Sequence, residues 1–364
     1  MKPIDAAAAF DPNRLRIARL AAGLRANQLA ELVGVNSSAI SQYEHGYTRP
    51  STTTLAALAL ALGVPVRWFA TTRPIGAVSE AGAHFRSLRA SSKQERGRAF
   101  AHAVIAWDLC RILETNVRLP EVDVPSLAPT NTADTHELDE IAWEVRRRWA
   151  VPDGPVANVV RLLEQHGVVV LRAQLETHRV NAFSYDFGTR PLVMLGDDSG
   201  DTARSRFDAA HELGHLVMHS DAEPGDGLLE RQAHGFAAGF LLPAKLVRAE
   251  LPARFDLAHL SRLRQNWGVS IAALLYRSRE LGVMADATYR RAVTRMSAMG
   301  HRTNESAFGD LGPSEEPMLL RRAIELVEQT GTGLDHLAEM VGLPVDRISA
   351  LVESDHRPCV ELSS

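Results

Sequence analysis

Two histidines and a glutamate stand together at helical spacing just past the middle of the chain. They belong to the pentapeptide HELGH, which begins at His211 and ends at His215. Histidines four residues apart lie one turn apart on the same helix face, so both imidazoles can point at one metal ion. Glu212 follows the first histidine directly, and its carboxylate can accept a proton from water that the ion activates. The pattern predicts a zinc site that hydrolyses a carbonyl compound, with His211 and His215 as ligands and Glu212 as the general base.

A zinc centre of this kind needs a third protein ligand and one position open to water. The downstream candidates are His219, Asp226, Glu230 and His234. His219 lies one further turn along the same helix, and three ligands spaced by four on a straight helix drift away from a common point. We therefore expect His219 to pack or to hydrogen-bond a ligand. Glu230 is favoured as the third ligand, because it begins an apolar helix that can pack against the first and present its carboxylate.

The second helix also carries a family resemblance. Glu230 begins the sequence ERQAHGFAAGFLLP, which ends at Pro243. Together with the HELGH segment, this sequence resembles the ImmA/IrrE family of metallopeptidases, and the likeness extends over residues 133–251. The resemblance implies that His211, His215 and Glu230 hold zinc and that the glutamate of HELGH is the general base.

One residue departs from the pattern of that family. His234 stands where the family usually has Asn or Asp. The resemblance implies that this position supports a ligand histidine through a hydrogen bond, and such supporting groups tune metal affinity. We therefore expect His234 to weaken or retune metal binding, which leaves the catalytic competence of the site open.

The first seventy residues contain several short helices separated by turns. Helical stretches end near Gly23 and Gly34, and Asn36 can cap a third helix. Two short helices joined by a glycine-containing turn are typical of a helix-turn-helix. Residues 10–70 resemble the XRE family of phage-repressor-like DNA-binding domains. The framework positions that match are Leu29-Ala30, Gly34-Val35, Ile40-Ser41, Glu44, Gly46 and Pro50-Ser51.

This second resemblance implies how the N-terminal domain meets DNA. The helix that begins at Ser37 would enter the major groove, because such domains dock their second helix there. Arg25-Ala26 stand where the family often has a Thr-Gln pair, so we expect Arg25 or Asn27 to make the phosphate contact instead. The residues placed to meet base edges are Ser37, Ser38, Ser41 and Gln42, and those placed to meet phosphates are Arg25, Asn27, Tyr47 and Arg49.

Local charge agrees with a DNA-binding surface in this region. Six arginines outweigh three acidic residues between positions 10 and 70, although the whole chain has a net charge of -4. The alternative is a small helical domain that serves only dimerisation or protein contact, since a framework can keep its packing without binding DNA.

Size and composition describe a multidomain protein without a membrane segment. A length of 364 residues predicts two or three domains. Cys110 and Cys359 form no CxxC pair, which argues against a disulfide framework or a cysteine metal site and favours a reducing cytoplasm. The N-terminus shows no secretory signal pattern. The longest apolar run, from Leu55 to Val66, is too short to span a bilayer.

We expect a mostly α protein with a small central sheet. The predicted units are an all-α helix-turn-helix domain at 10–70, a linker with one long helix at 71–132, an α+β zincin-like metallopeptidase domain at 133–251, a helical, helix-turn-helix-like extension at 252–300 and a C-terminal helical segment at 313–356. Strand candidates lie at 168–171, 181–185 and 191–195. The arginines at 146–148 end a helix and are expected to be solvated. The last segment is either a degenerate second helix-turn-helix or a dimerisation element.

The favoured function is a cytoplasmic transcriptional regulator that carries a zinc-dependent peptidase. In the resembling family, peptidases cleave phage or stress-response repressors, and fusion to an XRE domain is common. The expected partners are a double-stranded DNA operator, a protein substrate and a second copy of the chain, and the expected cofactor is Zn2+. The alternative is a transcription factor or antitoxin whose metallopeptidase-like domain senses a metal or ligand without proteolysis. The intact HELGH and Glu230 favour an enzyme, whereas His234 and the attached DNA-binding domain favour a regulator.

Overall fold

The computed structural model describes residues 8–70, 75, 92–173, 182–196, 201–219, 226–299 and 308–352. Apart from Ile75, the first part of the predicted linker, 71–91, lies outside the described residues. Asn181 of the second strand candidate, positions 300–307, the end of the predicted C-terminal segment and Cys359 also lie outside them. None of the helices in the described ranges is long and apolar enough to cross a membrane.

Four short helices form the N-terminal region, as the sequence predicts. They are α1 (Pro12–Ala21), α2 (Ala26–Val33), α3 (Ser37–Glu44) and α4 (Thr52–Leu62), followed by a 3-10 turn (Val66–Phe69). The side chains of Asp11, Asn36 and Ser51 accept hydrogen bonds from backbone N–H groups in the first turns of α1, α3 and α4. Gly34 ends α2 with a φ of 70°, which a residue without a Cβ adopts at little cost.

A long helix follows, α5 (Lys93–Leu113), capped by Ser92. Most of its length is buried, and it lies in the same hydrophobic core as the helix-turn-helix region. Its Asp108 forms an ion pair with Arg14 of α1 at 2.7 Å, and both side chains are fully buried. A buried pair of this kind fixes the position of the long helix against the first, because separating it would leave two charges out of water.

The middle of the chain contains helices on one face of a small mixed sheet. The elements in order are α6 (Thr135–Arg148), α7 (Val159–Gln165), β1 (Val169–Ala173), β2 (Ala182–Asp186), β3 (Pro191–Gly196), α8 (Thr202–Met218) and α9 (Gly227–Leu241). The sheet has the order β1-β3-β2, with β3 parallel to β1 and antiparallel to β2. The three predicted strands are confirmed, and so is the mostly α fold with a small sheet.

Helices also follow α9 to the end of the described chain. They are α10 (Ala244–Val247), α11 (Leu257–Trp267), α12 (Ile271–Glu280), α13 (Asp286–Ala298), α14 (Leu319–Gln329), α15 (Leu334–Val341) and α16 (Val345–Val352). Arg277 of α12 is buried, donates to the carbonyl of Leu242 at 3.0 Å and pairs with Asp139 of α6. These bonds hold the helices after α9 against the domain that contains the sheet.

The sheet separates two hydrophobic cores. Alternate residues of a strand point to opposite faces, and Val169 and Leu171 belong to the core that contains α1, α5 and the last three helices. Val170 and Val193 belong instead to the core that contains α8 and α9. The sheet is therefore in contact on one face with the core of α8, which carries HELGH, and α9, and on the other face with helices that share a core with the N-terminal region.

Candidate metal centre and DNA-binding surface

Close approach of α8 and α9 places the metal-ligand candidates together. Gly214, inside the HELGH segment, faces α9, and a Cβ built on it would lie 3.0 Å from the ring of Phe236 and 3.3 Å from the Cα of Ala233. A side chain at this position would push the two helices apart. The glycine of HELGH is thus explained by packing, and the contact carries Glu230 of α9 to the histidines of α8.

Three side chains converge where these helices cross. Nε2 of His211 lies 3.1 Å from Oε2 of Glu230 and 3.2 Å from Nε2 of His215, and Nε2 of His215 lies 3.5 Å from the same carboxylate oxygen. One ligand atom from each residue falls within 4.8 Å of the other two. Two imidazole nitrogens and one carboxylate oxygen match the donor set of a catalytic zinc site with an open fourth position. The cluster therefore fits a metal ion.

The protonation state of Glu230 suits a ligand. Its burial alone would raise the pKa of the carboxyl, but hydrogen bonds to His211 and His215 hold that pKa well below its ordinary value. The carboxylate is thus ionised at neutral pH, as a metal ligand must be.

Glu212 lies beside the cluster with its side chain buried. Burial raises the pKa of its carboxyl to about 7, against the opposing effects of His211 and Ser184. Ser184 of β2 donates its hydroxyl proton to Oε2 of Glu212 at 2.8 Å and is itself fully buried. A carboxyl with a pKa near neutrality can both accept and release a proton, which is what a general base that later acts as an acid requires.

A chain of hydrogen bonds extends from His215, one of the ligand candidates, to the backbone of Thr130. Nδ1 of His215 is 3.1 Å from Nδ1 of His219, and Nε2 of His219 is 2.9 Å from Oε1 of Gln232. Gln232 in turn donates to the carbonyl of Thr130 at 3.1 Å. His219 therefore contacts the side of His215 that faces away from the cluster, where it can fix the orientation of the ring.

His234 lies on the open side of the site. It follows Glu230 by one turn of α9 and is exposed. Its ring stands 4.8 Å from that of Phe207 and 5.6 Å from that of Tyr276, the latter at an interplanar angle of 89°. Through these aromatic contacts His234, the residue that differs from the family pattern, forms part of the wall of the site. A cavity of about 480 Å³ has His211, Glu230 and His234 in its lining.

Sequence reasoning missed two polar residues of this site. Ser184 is a small polar residue inside an apolar strand, a signal that could have been noticed. Gln232 lies two positions after Glu230, and nothing in the sequence distinguishes it from a solvated helix residue. Its role depends on how α9 is turned against α8.

All residues that the sequence predicts to contact DNA have side chains exposed to solvent. Those side chains are Arg25, Asn27, Ser37, Ser38, Ser41, Gln42, Tyr47 and Arg49. Ser38 donates to Oδ1 of Asn36 at 2.8 Å, and Ser41 lies 3.4 Å from Nδ1 of His45. The ring of His45 stacks on that of Tyr47 at 5.8 Å. The exposed His45, which sequence reasoning missed, therefore lies among the predicted DNA-binding residues.

A partly buried ion pair holds α3 in place. Arg19 of α1 makes two hydrogen bonds to Glu44 at the end of α3, at 2.5 and 2.8 Å. Planar two-bond pairs of arginine and carboxylate fix both distance and orientation. Glu44, a framework position of the sequence resemblance, thus orients the helix that presents Ser37 and Gln42 to solvent.

Family models match two separate segments of the chain. Residues 15–69 match a helix-turn-helix model, and residues 163–279 match a model described as an IrrE N-terminal-like domain. No curated protein matches the chain. The second match contains both α8 and α9, and the first contains α2 and α3. The chain therefore carries an XRE-type helix-turn-helix domain fused to an ImmA/IrrE-like peptidase domain.

Proposed function

We propose that the protein is a DNA-binding transcriptional regulator whose IrrE-like domain is a zinc-dependent peptidase acting on a partner repressor or regulator. The observation that carries the proposal is the convergence of His211, His215 and Glu230 within 4.8 Å, with the buried Glu212 next to them. The attached helix-turn-helix domain supports a role at a promoter. We place the protein in the cytoplasm, where such a promoter and its regulators are found.

In this proposal His211, His215 and Glu230 hold the zinc ion. Zinc, when bound, supplies positive charge that polarises the scissile carbonyl and acidifies water. Ser184 occupies Oε2 of Glu212 by donating to it, which leaves Oε1 free of that bond to accept the proton of the attacking water. Glu212 then returns the proton to the leaving amide nitrogen. His219 keeps the ring of His215 in a single orientation during these steps.

The DNA-binding half of the proposal rests on α3. Ser37, Ser38, Ser41 and Gln42 are exposed on this helix and would meet base edges in the major groove. The residues proposed to meet phosphates are Arg25, Asn27, Tyr47 and Arg49. We propose that the protein acts as a homodimer, because an operator with two half-sites matches a protein with twofold symmetry.

A second candidate function is favoured by His234. In this alternative, the protein is a transcription factor or antitoxin whose peptidase-like domain senses a metal or ligand and cuts nothing. The aromatic setting of His234, where the family usually has a small amide or acid, supports it. The two candidates differ in one respect that can be measured, which is whether Glu212 is needed for any covalent change in another protein.

The test compares the zinc-loaded protein with its Glu212→Gln variant. Each is incubated with an extract of cells that lack the endogenous protein, and newly formed protein N-termini are labelled and identified. The proposal expects at least one new N-terminus with the wild type and none with the variant, while both bind zinc equally. Identical sets of N-termini from the two proteins, with zinc bound in both, would leave the sensor as the function.

A further inference from the structure

We propose that a second cavity, next to the ligand candidates His211, His215 and Glu230, binds a large apolar side chain of the substrate. This side chain would be adjacent to the bond that is cut. This inference rests on the proposed peptidase function. The cavity has a volume of about 460 Å³. We call it the apolar cavity, because Phe207, His234, Ala238, Leu241, Ala273 and Tyr276 give it a largely apolar and aromatic wall; the charged residues Asp201 and Arg204 also line it.

The position of the apolar cavity follows from helix geometry. Phe207 precedes the ligand candidate His211 by one turn of α8, and His234 follows Glu230 by one turn of α9. The rings of Phe207 and His234 are 4.8 Å apart. The two helices that supply the metal ligands therefore continue directly into the wall of the apolar cavity, about 5 Å further along their axes, the rise of one helical turn.

The apolar cavity adjoins the cavity beside the three metal-ligand candidates. The cavity that contains His211 and Glu230 in its lining also contains His234 and Tyr276, and both of these residues line the apolar cavity as well. Their rings meet edge to face, 5.6 Å apart. This pair forms the boundary between the two spaces. An extended peptide rises about 3.3 Å per residue, so a side chain next to the scissile bond can reach across this boundary.

The residues that line the apolar cavity determine which substrate side chains it can bind. Ala238 and Leu241 are buried apolar residues of α9, and Ala273 of α12 also lines the cavity. Phe207, His234 and Tyr276 add ring faces. Leucine or phenylalanine would lose water-exposed apolar surface on entering, which stabilises the complex, whereas glycine would leave the cavity to water. A site of this size and lining is therefore a specificity pocket for large apolar side chains.

The test uses amino-acid hydroxamates, which chelate zinc through the hydroxamate and present one side chain beside it. Glycine, leucine and phenylalanine hydroxamates are titrated into the zinc-loaded full chain by calorimetry. We expect the leucine and phenylalanine compounds to bind at least about 10-fold more tightly than the glycine compound, the scale at which apolar pockets discriminate side chains. Equal affinities for the three compounds would overturn the proposal.

Two variants locate the preference in the apolar cavity. Ala273→Phe places a ring in the part of the cavity lined by α12 and is expected to reduce the preference below about 3-fold, whereas glycine hydroxamate has no side chain for that ring to displace. Ala287→Phe, on an exposed position of α13 outside the cavity, is the matched control and is expected to keep the preference. A preference that survives Ala273→Phe in protein with full zinc content would contradict the assignment.

Further arms separate the remaining outcomes. If Ala273→Phe fails to bind zinc, the variant Tyr276→Ala is used in its place. Its enlarged cavity should shift the preference towards tryptophan hydroxamate. An unchanged order of affinities among the hydroxamates would overturn the proposal. Because hydroxamate binding needs no cleavage, a failure of the peptidase function would be seen separately, as absence of new N-termini.

Discussion

Arg206 and Glu315 form a buried ion pair that joins α8, the helix of His211 and His215, to the segment before α14. Glu315 also accepts hydrogen bonds from the backbone N–H groups of Val159 and Val160, at 2.7 and 3.0 Å. These two groups belong to the first turn of α7, where a negative charge is favourable. A single carboxylate therefore ties α7, α8 and the C-terminal helices together.

Removal of this carboxylate should cost much of the stability of the chain. Glu315→Ala leaves the guanidinium of Arg206 buried without its carboxylate partner, and we expect a loss of about 3 to 5 kcal/mol in the free energy of unfolding. The matched control is Glu316→Ala, since Glu316 is half-exposed and lies 3.8 Å from Arg172. The control should lose less than about 1 kcal/mol. Urea denaturation measures both, and equal losses would contradict the role given to Glu315.

Glu164 should make stability depend on pH. Burial raises the pKa of its carboxyl to about 7, although it accepts hydrogen bonds from the backbone N–H groups of Met318 and Leu319. Between about pH 4.5 and 7, the folded chain keeps a proton on this group that the unfolded chain has released, so stability is lost as the pH rises through this window. The loss is on the order of 3 kcal/mol.

The variant Glu164→Gln isolates this effect, because the amide keeps an acceptor oxygen and does not titrate. We expect the difference in unfolding free energy between pH 5 and pH 8 to be smaller in the variant than in the wild type by that amount. Chemical denaturation at the two pH values measures it. The same pH slope in both proteins would show that Glu164 does not titrate in this window.

Local patterns in the sequence were sufficient to predict the helices and strands but not how these elements pack against one another. The strands at 169–173 and 191–196 and the helices around HELGH follow from apolar periodicity and capping residues. The arginines at 146–148 show the limit. Arg147 and Arg148 are exposed as expected, but the expectation of solvation was wrong for Arg146, which is buried and donates to the backbone carbonyls of Phe240, Pro152 and Gly154.

The packing of the C-terminal helices could not be predicted for a related reason. Their apolar faces indicate burial against some surface, but the sequence does not say which one. In the structure they share a core with α5, the helix-turn-helix region and one face of the sheet. Contacts between segments more than 200 residues apart, such as the bond from Arg347 to the carbonyl of Leu62, depend on shape that no local pattern encodes.

Gln232 should influence metal affinity although it is not a ligand candidate. Gln232→Ala removes one hydrogen-bond partner of His219 and so weakens the support that His219 gives to the ring of His215. We expect zinc affinity to fall by about 10- to 100-fold. His234→Asn introduces the residue that is usual in the family. It tests His234, the other residue of α9 that is a candidate for supporting a ligand histidine. We expect it to change affinity by less than about 3-fold, because the ring contacts of His234 point to the cavity wall. Competition with a chromophoric chelator measures both affinities, and the opposite order would reassign the supporting role to His234.

DNA binding should separate into base and phosphate contributions. Gln42→Ala is expected to cost about 1 to 3 kcal/mol at the operator and to relax specificity at one base pair, while Arg25→Ala weakens binding to all sequences and lowers the salt slope by about 1. Arg147→Ala, an exposed arginine on α6, is the control and should change neither quantity. Titrations of labelled operator DNA over a range of salt concentrations measure these effects. DNA binding that is insensitive to salt and to the loss of Arg25 and Arg49 would contradict a binding mode that depends on phosphate contacts.

The most direct measurement of the proposed function compares promoter output and the level of the cleaved regulator in cells that carry wild-type protein or Glu212→Gln. Both proteins should bind zinc and the operator equally, because Glu212 is not among the converging ligand candidates. We predict that the regulator disappears and the promoter responds with the wild type, whereas the regulator stays intact and the promoter is silent with the variant. Equal regulator levels and equal promoter output, with zinc bound in both proteins, would contradict the peptidase.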